Sequence, residues 1–186
     1  MSRARLVAAV LALGLLPAAC GGGGGVDAAT WVRSVCSSLA DWRGELDTRT
    51  GSLQDEIGGL ARGDFEGLQG VMLRYIDDVI SSTETTVSKL EEAGVPDVED
   101  GREAADVIVG GIDQARSIFA DARDRIADLD PGAPRAFATA LQEIGTSVQE
   151  GGQEVQSALQ EAGNRGLGGP ELDEAFSNEP ACSAVA

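Results

Sequence analysis

Histidine is absent from this chain, and lysine occurs once, at Lys89. Without histidine there is no Ser-His-Asp or Cys-His relay, and none of the Glu-x-x-His ligands that hold di-iron centres in helical bundles. The three cysteines, Cys20, Cys36 and Cys182, lie far apart and form no C-x-x-C pair for zinc or dithiol chemistry. Past the initiator, Met72 is the single methionine, so haem lacks its usual axial ligands. Glycine is plentiful, yet no P-loop or G-x-G-x-x-G follows a strand signal, and no D-x-D-x-D-G calcium loop occurs. No cofactor and no metal is expected, and the chain does not read as an enzyme.

Positive charge is scarce as well. Fourteen basic side chains face 31 acidic ones, a formal charge of −17. Nucleic acid and anionic head groups both need a cationic surface, so a nucleic-acid partner is excluded. Long hydrophobic runs are missing too. The longest, Leu6 to Ala19, has 14 residues, against the roughly 20 that a helix needs to span a bilayer.

That run has a different use. It follows Arg3 and Arg5, contains Leu6 to Leu16, and ends in small residues before Cys20, the layout of a secretory signal peptide. Leu16-Pro17-Ala18-Ala19-Cys20 resembles the lipobox of bacterial lipoproteins, with Pro17 standing where the family usually has leucine. The resemblance implies a signal peptide over 1–19, removed at Cys20, and acyl chains (palmitate among them) on that cysteine. Two chains give stable anchoring where one gives marginal binding. The expected location is the outer, extracytoplasmic face of the cell membrane. Residues 20–29 then form the lipidated cysteine and a Gly-rich tether, and 30–186 a single domain long enough for its own core. The nine residues from Gly21 to Ala29 have a typical reach of about 16–18 Å. Losing residues 1–19 removes two arginines and no acid, which leaves a charge of −19.

If Cys20 carries lipid, Cys36 and Cys182 remain in an oxidising compartment and can pair in one way; the alternative is two buried free thiols. Small actinobacterial lipoproteins are similar, with an early Trp-x-x-x-x-Cys and a late Phe…Pro-x-Cys. Here these are Trp31 to Cys36 and Phe176 through Pro180 to Cys182. The arginine-, alanine- and glycine-rich composition resembles that of high-GC bacteria.

Four segments carry a helical period. The first runs through Trp31, Val35, Leu39, Trp42, Leu46, Leu53, Ile57 and Leu60. The second has Leu68, Met72, Tyr75, Val79, Thr83, Val87 and Leu90. Ala105, Ile108, Ile112, Ala115, Phe119, Ala122, Ile126 and Leu129 form the third, and Phe137, Leu141, Ile144, Val148, Gly151 and Val155 the fourth. No stretch alternates with period two, so strands are not expected. Breaks fall at Gly58 to Asp64, Gly94 to Asp97 and Asp130 to Pro134. Asp64 and Asp97 suit N-caps and Pro134 a first helical position. Connections this short make each helix antiparallel to the last. The expected fold is all-α: an up-down-up-down four-helix bundle with a short C-terminal helical tail near Glu171 to Phe176, clasped by the Cys36–Cys182 disulfide. That topology returns both cysteines to the end nearest the tether, and leaves the loops near Asp64 and Pro131 about 40 Å away.

Two constellations invite a site. Asp121, Asp124 and Asp128 share a helix face but alternate with Arg123 and Arg125, the pattern of a solvated, ion-paired surface. Gly110-Gly111 and Gly151-Gly152 interrupt the third and fourth helices. With the turn centred on Gly132 they face each other within about a turn. They then make a close-contact seam, an opening for a small apolar ligand, or a chance feature of a glycine-rich chain. The leading expectation is a membrane-anchored, non-catalytic lipoprotein acting through contacts with an envelope protein. The alternative is a carrier or sensor holding an apolar molecule between helices three and four.

Overall fold

The computed structural model describes residues 25–184, apart from the side chains of 158, 159, 161–164 and 184. The expected signal peptide and Cys20 lie outside the described residues. Five α-helices and a terminal 3-10 turn follow one another: α1 (Ala28–Gly59), α2 (Phe65–Glu92), α3 (Gly101–Ala127), α4 (Pro134–Asn164), α5 (Gly169–Asn178) and η1 (Pro180–Ala184). The chain is all-α, a helical bundle whose first four helices run alternately up and down.

Local chemistry starts and stops these helices. Asp27 caps α1 by accepting from the Thr30 N–H at 3.0 Å, and that bond, with one from the Thr30 hydroxyl, lowers the Asp27 pKa. The cap therefore contributes most above the ordinary aspartate range and is lost as pH falls through the lowered value. Asp64 caps α2 through the Gly67 N–H, and Pro134 opens α4. At the far end of α3, Gln69 donates to the terminal carbonyls of Ile126 and Leu129 at 2.8 and 3.0 Å.

Asp97 does not cap α3, which begins four residues later behind Asp100. Val26 intervenes. Its N–H donates to the Val95 carbonyl at 2.7 Å and its carbonyl accepts from the Asp97 N–H at 2.8 Å. Pro96 sits inside this short parallel bridge and keeps Val95 out of the helical region. The domain accordingly starts before residue 30. Gly25 is already packed: a Cβ there meets the Val95 carbonyl at 2.6 Å, so glycine alone fits.

Burial divides into two clusters. The clasped-end cluster joins Trp31, Val32, Val35 and Cys36 of α1 to Leu90, Ala104, Ala105, Ile112 and Leu172. The Trp31 indole donates to the Gly94 carbonyl at 2.9 Å and meets the Phe176 ring edge-on at 6.3 Å. The second cluster, at the other end, consists of Ile76, Ala122, Ile126 and Ile144.

The stripe expected along α1 is fully buried only in its first third, with Leu39 and Trp42 half-buried against the core. Past Cys36 no α1 residue is buried, and Ile57 is 39% exposed. The physical reason is the packing order. Each of α2, α3 and α4 packs on the helix before it, but α1 finds α5 and η1 on its other flank, and α1 and α4 share no interface among the described residues. The distal half of α1 therefore lies on α2 alone. It is held there largely by polar contacts, such as Arg49–Asp78 and Arg74–Glu56, each at 2.8 Å.

Cys36 and Cys182 are bonded, with Cα atoms 4.9 Å apart. Closing this loop removes about 5 kcal/mol of unfolded-chain entropy. Reduction is expected to lower the melting temperature by roughly 10 °C while the far-UV circular dichroism stays helical at 25 °C, because both clusters survive. An unchanged melting curve after complete reduction refutes a stabilising clasp.

Candidate functional site

The clasped end is built from both ends of the described residues. Val26 is tied to the α2–α3 loop, and the disulfide ties η1 to the third turn of α1. Glu179 accepts from Arg33 at 3.1 Å, and its backbone carbonyl accepts from the Cys182 N–H at 3.1 Å. The motif residues Trp31, Cys36, Phe176 and Cys182 thus form one packed junction. Their roles here are structural.

The two glycine pairs do not face each other. Arg125 reaches Ser147 at 3.1 Å, Arg165 reaches Glu103 at 2.8 Å, and Gly151 lies against Ile118. In that register Gly110-Gly111 stand opposite residues 158–160, about 12 Å along α4 from Gly151-Gly152. The turn does not fold about Gly132 because Phe137, 1% exposed, stacks edge-on against Phe65 with centroids 5.4 Å apart. That contact holds the first turn of α4 beyond the end of α3.

Each glycine has its own surroundings. Gly151 makes room for Ile118, whose Cδ1 is 2.6 Å from the position of a Cβ there. Gly110 and Gly152 are exposed and have nothing within 4 Å of such a Cβ; Gly111 is buried. Of the two expected uses, close contact fits Gly151. The groove beside it holds about 400 Å³ and is open, with Ile118, Ala122 and Val148 on its floor and Asp121, Arg125, Glu150 and Glu154 on its rim. An apolar carrier site needs an enclosed, mostly apolar cavity. This groove is open to solvent, with charged side chains along its rim.

Asp121 pairs with Arg125 at 3.7 Å and Asp124 with Arg123 at 3.4 Å, all on exposed surface. Arg123 also donates to Asp77 at 3.0 Å, which with its charge raises the arginine pKa. These acids therefore lie on a solvated, ion-paired helix face. No group of three or more Cys, Asp or Glu side chains among the described residues is arranged to hold a metal ion. No described helix is long and apolar enough to cross a membrane.

Sequence reasoning missed a groove of about 740 Å³ between the distal half of α1 and α2, with Arg49, Leu53, Glu56, Tyr75 and Asp78 among its walls. It exists because α4 does not cover α1. The helical periods alone carry no signal of that.

The glycines give opposite mutational outcomes. Gly110→Ala is expected to stabilise by about 0.5–1 kcal/mol, since it relieves a helical glycine in open space. Gly151→Leu is expected to destabilise by about 1–3 kcal/mol by overpacking Ile118. Urea titration of both variants checks the pair; equal signs overturn the assignment. Compared with protein-family models, with curated proteins and with solved structures, the chain matches none.

Proposed function

We propose that this protein is an extracytoplasmic lipoprotein, non-catalytic, held on the outer face of the cell membrane by lipid on Cys20 and acting through contacts with an envelope protein. The observation that carries the reading is the order Arg3, Arg5, Leu6–Leu16, Ala18-Ala19-Cys20 at the head of an acidic helical domain. The Cys36–Cys182 disulfide supports it, because structural disulfides persist in oxidising compartments and are rare in the cytosol.

The anchor and the fold are compatible in detail. Between Cys20 and the packed Gly25 stand four glycines, with a typical reach of about 11 Å. The membrane-facing end is then the one that carries the disulfide, the α2–α3 loop and α5. The opposite end, with the α1–α2 and α3–α4 loops, lies about 48 Å away along the 32 residues of α1. A charge of −19 on the processed chain disfavours nucleic acid and anionic lipid as partners and favours a basic protein surface. The carrier reading loses its expected location, since the glycine pairs do not meet and Ile118 occupies the space beside Gly151.

Cys20→Ala tests the anchor. The wild-type protein is expected in the membrane fraction with an acylated N-terminal cysteine by mass spectrometry. The variant is expected either unprocessed or in the medium. Membrane retention of a correctly processed Cys20→Ala protein overturns the reading.

A further inference from the structure

We infer that the domain consists of two lobes joined at a polar waist, and that the distal lobe opens there while the disulfide-clasped lobe stays folded. This inference does not depend on the lipid anchor.

The contacts between helices define one level across the bundle. Ser82 of α2 donates to Glu45 of α1, and the Trp42 indole donates to the Thr83 hydroxyl at 3.1 Å. Arg116 of α3 approaches Glu84 at 3.9 Å, which in antiparallel register sets Ile118 opposite Ser82. Ile118 in turn lies on Gly151 of α4. Glu45, Ser82, Ile118 and Gly151 therefore stand side by side.

At this level the core is interrupted. Among the described residues, none of α3 between Ile112 and Ala122 is buried, and none of α4 between Ile144 and Val155. On α1 burial has already ended at Cys36. Only α2 carries buried side chains through, and it does so with Ser82, Thr83 and Thr86. The two apolar clusters share no residue.

The hydroxyls do more than fill space. Thr83, Thr85, Thr86 and Ser88 each donate to the carbonyl four residues earlier, at 2.7 to 3.1 Å. Such back-bonding weakens and bends a helix. The ion pairs at this level, Arg116 with Asp113 and Glu84, are partly exposed and add little. Apolar burial makes helices cooperative over their length, so a gap in burial on three helices and a weakened fourth divides the domain into separate units. The clasped lobe keeps the disulfide and Trp31; the distal lobe has neither. Opening it exposes Ile126 and Ile144 at the end away from the clasp.

Hydrogen exchange read by mass spectrometry on the complete processed protein, disulfide intact, tests this. Peptides from 65–80 and 119–148 are expected to be at least roughly tenfold less protected than those from 31–36 and 87–112. Reduction is expected to lower protection in the second group and to leave the first within about a factor of two. A single protection level for both groups, falling together on reduction, overturns the inference. The double variant Thr83→Val, Thr86→Val is expected to narrow the difference, since it continues the apolar core through α2. A folded variant with the difference unchanged excludes the hydroxyls as the hinge and overturns the inference in this form. If the variant does not fold, the wild-type comparison decides.

Discussion

In a closed four-helix bundle the first and fourth helices flank each other, and each buries its stripe between two neighbours. Here α1 and α4 share no interface among the described residues, so α1 has α2 on one side and α5 with η1 on the other. Those two elements together are 15 residues, too short to persist in water by themselves. What keeps them on α1 is the covalent link from Cys182 to Cys36, supported by Trp31 against Phe176. The link closes a loop of 146 residues, which also makes it the tie that costs the unfolded chain most entropy. The shape of the proximal end follows from that constraint: the start of α1 and η1 converge, Trp31 is sealed, and α1 is buried where the clasp can reach it.

Beyond the reach of the clasp the physics changes. The second half of α1 rests on α2 through Arg49–Asp78 and Arg74–Glu56, partly exposed pairs worth little individually. It leaves Ile57 in solvent and a groove along its side. The distal core is made by α2, α3 and α4 without α1. A domain so arranged has a covalently secured end and a softer one, with the hydroxyls of α2 at the border. If the N-terminal cysteine is lipidated, the secured end is also the one that faces the membrane.

The helices were legible in the sequence because apolar spacing and capping chemistry are local. The third and fourth stripes turn inward as spaced, buried at Ile112, Ala122, Ile126, Phe137 and Ile144 and half-buried at Ala115, Phe119 and Val148; Pro134 and Asp64 start their helices, and the breaks fall where glycine, proline and aspartate cluster. The cap of α3 was not legible, because Asp97 is diverted by a backbone pairing with Val26, 71 residues earlier. Nor was the glycine register. Loop length says that α3 and α4 are antiparallel, but the Phe65–Phe137 contact decides how far one slides along the other.

Sequence alone determined the fold class of this protein. Lacking histidine, C-x-x-C and any nucleotide motif, and carrying 31 acids, it reads as an acidic helical domain, and the Cys36–Cys182 disulfide closes it. The tertiary structure decided which helices touch. It opened the edge between α1 and α4, seated Ile118 on Gly151, and split the core at Ser82 and Thr83. The reason is that a helical stripe says a face must be covered and not by what. Antiparallel neighbours, a short tail or solvent can each meet a partly apolar face, and the choice among them rests on long-range contacts that no local pattern encodes.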